Sequence, residues 1–242
     1  MNREFTMEDV PILHEDNHIL VVVKPQNIPT QADKSGDLDL LTLLKGYIKD
    51  KYNKPGEVYL GLVHRLDRPT GGVMVFARTS KAAARLSESF FTHTTEKKYL
   101  AVINGELNST QGTLVSWLKK NALTNTVYVA TSGTDGAKRA ELDYKVLQVE
   151  KGLSLIQVQL GTGRSHQIRV QLASQGNPIC GDVRYGGDKY GKSPLALWAY
   201  QLVFAHPVTQ EKMVFVCYPP EIMPFTLFDI DKYIDYFHQS ED

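Results

Sequence analysis

Hydrophobic positions change their period several times along the chain, and each change marks an element. Ile19-Leu20-Val21-Val22-Val23 is an unbroken apolar run, which predicts a strand buried on both faces. Leu40, Leu41, Leu44, Tyr47 and Ile48 recur at helical spacing and predict an amphipathic helix with a charged end. Residues 72–78 read as a strand, followed by a helix over about 80–91 whose stripe, Ala83, Leu86 and Phe90, is expected in the core. Further strands are predicted over 98–104 and 112–118. In 153–160 the pattern alternates, with Ser154, Ile156, Val158 and Leu160 on one face, as in a half-exposed strand. Ser165 stands where a helix N-cap belongs, with Ile168 and Leu172 as the buried pair and Gly176 as the stop. Trp198, Tyr200, Leu202 and Phe204 alternate before His206-Pro207 and predict another strand. The tail, 220–238, carries Phe225, Phe228, Tyr233 and Ile234 and predicts a helix packed on the body. Many strands and few helices, without regular alternation, argue for an α+β fold with a largely antiparallel sheet.

Composition narrows the possibilities. With 242 residues, 42% of them hydrophobic and 22% charged, the chain is suited to a packed core that needs no disulfide or metal staples. Lys+Arg and Asp+Glu stand at 27 each, so no global positive field points to a polyanion binder, although a local basic groove is compatible with that balance. The two cysteines, Cys180 and Cys217, build no disulfide framework, and no His/Cys spacing suggests zinc. No signal-like stretch opens the sequence and no 18-residue apolar run occurs in it, so a soluble protein of the reducing cytoplasm is expected. Turn-rich pieces such as Lys54-Pro55-Gly56 and Ser132-Gly133-Thr134-Asp135-Gly136 are short, and the chain reads as one compact unit over 1–242 with two lobes.

Two constellations carry candidate chemistry. In Val63-His64-Arg65-Leu66-Asp67-Arg68-Pro69-Thr70-Gly71-Gly72, an aspartate sits between two arginines in a turn joining two strands. A nearby cation lowers an aspartate pKa by ~1–3 units, so the carboxylate is expected to be ionised and competent as a nucleophile or base. The alternative is a surface ion-pair cluster on a hairpin. His64-Arg65-Leu66-Asp67 is not a kinase catalytic loop: Leu66 is inserted, and the downstream Asn, Gly-rich loop and Asp-Phe-Gly are missing. The second constellation, Gly161-Thr162-Gly163-Arg164-Ser165-His166-Gln167-Ile168-Arg169, joins a strand end to a helix start. It lacks the third glycine and the acidic residue of a dinucleotide site. Its unpaired N–H groups favour anions, with Arg164 in reach of a carboxylate or phosphate. A capping loop with an exposed arginine is the plainer reading, and His166 and Arg169 suit hydrogen bonds within the fold.

These motifs resemble those of the pseudouridine synthases that modify large-subunit ribosomal RNA and some tRNA. The resemblance runs in order from about residue 11 to 218. It begins with Ile12-Leu13-His14-Glu15-Asp16-Asn17 leading into Val21-Val22-Val23-Lys24-Pro25. It continues through His64-Arg65-Leu66-Asp67 with Thr70-Gly71-Gly72, then Glu96-Lys97-Lys98-Tyr99-Leu100-Ala101 with Gly105. The last match is the stretch from Gly163 to Arg169, with Gly176-Asn177-Pro178-Ile179, Gly181-Asp182 and Tyr185-Gly186. Gly71, Gln171 and Trp198 depart from the family pattern at positions that bear on substrate fit. The accessory N-terminal RNA-binding domain of many relatives is not expected here.

The resemblance implies a pseudouridine synthase fold, two lobes flanking a central cleft, and isomerisation of specific uridines in structured rRNA or tRNA. Asp67 is then the catalytic aspartate, paired with Arg164, while Tyr99 stacks on the flipped uracil. Attack at C1′, addition at C6 and removal of a sugar proton all stay open for Asp67. Arg65 fills the gap left by the flipped base. His64, Lys24, Lys97, Lys98 and Arg169 are candidate RNA contacts. No cofactor or metal is implied, the partner is RNA, and a monomer is expected. Two other readings compete: an RNA-binding module that no longer catalyses, and a glycosidase-like hydrolase needing a second carboxylate, for which the motifs offer only Glu96 and Asp182.

Overall fold

The computed structural model describes residues 5–186 and 193–234, which fall into two compact units. The first comprises the residues up to Glu96 together with Gln201–Cys217; the second comprises Lys97–Tyr200 and the residues from Tyr218 onward. The fold is α+β, with short helices on antiparallel ladders.

In the first unit β1 (Ile12–Glu15), β2 (Ile19–Lys24) and β4 (Gly71–Ala77) are hydrogen-bonded neighbours in that order. A two-residue β3 (Gly61–Leu62) pairs with the far end of β4. β4 is apolar throughout and β2 is apolar up to Lys24 because both of their faces are covered: Ile19 to Val22 and Val73 to Ala77 are 0–2% exposed. Helix α1 (Leu40–Lys51) begins at Asp39, whose carboxylate accepts the Thr42 N–H, and buries Leu40, Leu44 and Ile48 at i, i+4 and i+8. Helix α2 (Ser80–Phe91) begins at Thr79, whose hydroxyl accepts the Ala82 N–H. It buries Ala82 and Leu86, while Ala83 and Phe90, expected in the core, are only half-buried.

In the second unit the order is β5 (Glu96–Asn104), β9 (Leu153–Leu160), β8 (Lys138–Glu150), β6 (Gln111–Asn121) and β7 (Thr126–Ala130), each antiparallel to its neighbour. β9 is not the half-exposed strand that its alternation predicts. It lies between β5 and β8, and Leu153 to Ile156 are all within 2% exposure. Helix α3 (Gln167–Ser174) packs Val170 against Leu118, Val127 and Ala140 and ends at Gly176, which takes a positive φ of 83°. β10 (Leu197–Ala205) is buried along nearly its whole length, and its Gln201–Ala205 portion pairs with β11 (Lys212–Val216) in the first unit. The expected tail helix is replaced, among the described residues, by a 3-10 turn at Phe225–Leu227 and one helical turn, α4 (Asp231–Ile234); residues 235–238 lie outside them.

Candidate active site

The loop between β3 and β4 carries Asp67. Side chains alternate about it: Leu66 is buried at 7% exposure, Arg65 is exposed and Asp67 is partly exposed. Five consecutive carbonyls of this loop accept hydrogen bonds. Thr30 Oγ1 donates to Leu66 O at 2.8 Å, and the Gln26 amide donates to Pro69 O at 3.1 Å. Asp67 O accepts the Thr70 N–H across the turn at 3.0 Å, and Arg68 O accepts the Asn27 N–H at 2.8 Å. Lys24 Nζ donates to Asp67 O at 3.3 Å, Arg68 O at 3.0 Å, Thr70 O at 2.7 Å and its neighbour Pro25 O at 3.2 Å. At the foot of the loop Gly72, opposite Lys24 in the ladder, has φ +124°, a conformation that side chains rarely adopt.

Several sequence expectations change here. Lys24 is not placed as an RNA contact: it is 0% exposed, and its ammonium points into the carbonyls just named. Burial pushes it down to about 7, the Asp67 charge opposes that shift, and Arg68 adds to it. Nor is Arg68 directed at Asp67. Its guanidinium donates to the Asp37 carboxylate, Ser35 Oγ and Asn27 O. His64 is part of the support of the loop: Nε2 accepts the Val75 N–H at 3.0 Å, and the ring stacks on Phe90 at 4.5 Å between centroids. That stacking accounts for Phe90 in the apolar stripe of α2.

In the second unit, Tyr99 stands on β5 opposite Val158 and is 7% exposed. Lys98 faces Gln159 and is partly buried; burial lowers the neighbouring Lys97 below the ordinary lysine range. Arg164 is exposed in the turn before α3, and its Nε donates to Arg139 O at 3.0 Å. The turn is organised by Gln167, a residue without an assigned role in the sequence reading. Its Oε1 accepts the Arg164 N–H at 3.0 Å and the Thr162 hydroxyl at 2.7 Å, while Nε2 donates to Glu141 O at 2.9 Å. Ser165 is not the N-cap. That position belongs to His166, in the left-handed conformation at φ 52°. Its Nδ1 lies 2.7 Å from the Tyr185 hydroxyl, which accepts the Val127 N–H at 2.9 Å.

Arg169 also departs from its expected phosphate contact. It is buried, and Nε and Nη2 each meet an Asp182 oxygen at 2.8 Å, a two-point pair whose side chains are 6% and 0% exposed. Asp182 Oδ1 further accepts the backbone N–H groups of Arg184 and Tyr185, so the pair ties the 181–186 loop to α3. Gly181 lies at φ +75°, where a Cβ would come within 2.3 Å of Pro194 O. Gln171, at a position where the family commonly has His, is buried and donates to Leu114 O at 3.0 Å.

The hydrogen-bonded loop thus presents a partly exposed carboxylate and an exposed arginine on an α+β scaffold. The family model described as RNA pseudouridylate synthase matches residues 18–174, which hold Asp67, Tyr99 and Arg164. An uncharacterised RNA pseudouridine synthase, YhcT, of Bacillus subtilis is 35% identical over 209 residues, spanning 85% of this chain and 67% of the relative. A ribosomal large subunit pseudouridine synthase D of Zymomonas mobilis is 33% identical over 229 residues, 89% of this chain and 72% of that one. Among solved structures, human RNA pseudouridylate synthase domain containing 4 superposes with TM-score 0.72 and 26% identity, over 87% of this chain and 88% of its own. The chain belongs to the RNA pseudouridylate synthase family and is by class an RNA isomerase.

Proposed function

We propose that this protein isomerises particular uridines of structured RNA, ribosomal or transfer, with Asp67 as the catalytic aspartate. The observation that carries the reading is the presentation of Asp67: a partly exposed carboxylate on a loop whose five successive carbonyls are all hydrogen-bonded. Such a loop offers one orientation of the carboxylate before RNA arrives, and prior orientation lowers the barrier to reaction. In the isomerisation the C1′–N1 bond breaks, a C1′–C5 bond forms, C5 gives up its proton and N1 gains one. The balance consumes no oxidant and no second substrate, and an ionised carboxylate serves as nucleophile or base in it.

Arg65, exposed two residues before Asp67, fills the space vacated by the target base, where a guanidinium stacks on neighbouring bases and donates hydrogen bonds at once. Tyr99 and Arg164 are assigned to the same chemistry by the motifs in which they stand. The buried Tyr99 ring is held by β5, and the Arg164 backbone is held by Gln167. Lys98 remains a candidate phosphate contact. The chain is proposed to act as a single catalytic domain over 1–242, monomeric and cytoplasmic. Among the described residues no helix is long and apolar enough to cross a membrane.

The test is Asp67→Asn, which keeps the shape of the side chain and removes its charge. RNA labelled with 5-tritiated uridine, taken from cells deprived of the protein, releases tritium when C5 loses its proton. Wild-type protein releases it, and Asp67→Asn binds the RNA but releases none. Multiple turnovers by Asp67→Asn would remove Asp67 from the catalytic role. Mapping pseudouridines in cells with and without the protein then identifies the RNA and the position.

A further inference from the structure

Asp67 stands just before β4 and Arg78 just after it, so the length of that strand, roughly 20 Å, separates the two. At the Arg78 end the Glu15 carboxylate, whose side chain is 8% exposed, accepts hydrogen bonds from Tyr52 and Lys51 at 2.7 Å, Tyr47 at 2.8 Å and Arg78 at 3.1 Å. That bond fixes the Tyr52 ring, which lies against the Arg78 guanidinium with Cζ 4.7 Å from its centroid. Arg78 is itself 8% exposed and also donates to Asp16 O, so it backs the ring from below. Tyr52 remains 44% exposed, with its outer face to solvent. Lys51 and Lys54 stand 5.6 and 5.9 Å from the same centroid. Lys49 lies three residues before Tyr52 and so on its side of α1. The segment 45–57 holds four lysines against Asp50 and Glu57, and Asp50, two residues from Tyr52, falls on another side of the helix. The ammonium groups of Lys49 and Lys54 make no hydrogen bond or ion pair among the described residues. An exposed ring held in place and flanked by uncompensated cations suits a nucleic-acid strand: a base stacks on the ring while phosphates meet the cations.

We propose that Tyr52, with Lys49, Lys51 and Lys54, forms a second RNA-contact site, remote from Asp67, that holds a flanking strand of the substrate by stacking and phosphate contacts. The inference rests on the reading that structured RNA is the substrate. The patch takes no part in the chemical step; it adds affinity for RNA that extends beyond the reacting uridine.

Lysine acetylation read by mass spectrometry, on wild-type protein with and without total RNA from cells deprived of it, reports cover of the patch directly. RNA is expected to protect Lys49 and Lys54 severalfold, and equal acetylation with and without RNA overturns the proposal. Single-turnover tritium release from the same RNA carrying 5-tritiated uridine, with protein in excess, then gives a maximal rate and a half-saturating protein concentration. Tyr52→Ala is expected to raise that concentration roughly 5–100-fold, the loss of one base–aromatic stack, whereas Tyr52→Phe keeps the ring and restores it. Lys49→Ala combined with Lys54→Ala is expected to reduce the slope of log K against log salt by about 1.4–1.8, the value of two phosphate contacts. Because those ammonium groups hold nothing in the fold, the lysine variant decides the matter if Tyr52→Ala fails to fold. An unchanged salt slope overturns the proposal, and so does a Tyr52→Ala loss confined to the maximal rate. Protection by inorganic polyphosphate equal to that by RNA, with Tyr52→Ala unaffected, would mark a general anion patch and overturn the RNA assignment. If RNA protects the lysines but wild-type protein releases no tritium, the isomerase reading fails instead, which is a separate result.

Discussion

Replacing Arg169 by Met leaves the Asp182 carboxylate, whose side chain is 0% exposed, without the two-point partner that now meets both its oxygens at 2.8 Å. Breaking one side of a buried ion pair costs about 3–5 kcal/mol, because the remaining charge stays desolvated. For a chain of this length, each kcal/mol moves the melting temperature by about 2–4 °C, so the expected fall is roughly 6–20 °C. The 181–186 loop should loosen with it, since the same carboxylate accepts the Arg184 and Tyr185 N–H groups. The assay is thermal unfolding by circular dichroism, paired with RNA affinity measured across salt concentrations below the new melting temperature. Loss of one phosphate contact would reduce the slope of log K against log salt by about 0.7–0.9, whereas a residue buried within the fold leaves the slope unchanged. A double-mutant cycle with Asp182→Asn should show that the two losses are strongly non-additive. An unchanged melting temperature together with a reduced salt slope would refute the burial argument and return Arg169 to the RNA surface.

Three further outcomes follow from the same geometry. Arg65→Ala should slow reaction at a uridine inside a stem far more than at one already unstacked by a neighbouring mismatch, because the flipping cost is then partly removed; equal loss on both RNAs would place Arg65 in the chemical step. Gln167→Leu removes an acceptor for the Arg164 N–H and the Thr162 hydroxyl and a donor to Glu141 O. It should cost about 1–3 kcal/mol of stability and lower the reaction rate more than the RNA affinity, and an unaltered rate would dismiss Gln167 as a support of Arg164. Burial alone would raise Glu15, yet hydrogen bonds from Lys51, Tyr52 and Tyr47 and the Lys51 charge bring it down to about 2. A carboxylate lowered on folding stabilises above its unfolded pKa and loses that contribution as pH falls. Urea titrations should therefore show roughly 2–3 kcal/mol disappearing between about pH 5 and 2, and Glu15→Gln should flatten that part of the curve.

Local pattern sufficed for a good part of this protein. The apolar run of β2, the helical spacing of α1 and the limits of α2 rest on interactions within a few residues, and each element appears where its own residues place it. Which side chains of the Asp67 loop face outward has the same local origin: Arg65, Leu66 and Asp67 are consecutive, and a tight turn leaves little freedom in which of them points outward. Beyond that range, sequence pattern misleads in a consistent way. Alternation in β9 reads as one wet face, but neighbouring strands on both sides and cover on both faces make it core. Charged side chains read as exposed, since an isolated charge taken out of water costs several kcal/mol. Lys24 and Arg169 escape that cost only through groups that the chain brings from elsewhere. For Lys24 these are carbonyls 43–46 residues away; for Arg169 it is a carboxylate 13 residues on, across the end of a helix. Their surroundings exist only once the chain has closed on itself, so the difference between a cation that meets RNA and one that holds the fold is a property of the tertiary structure.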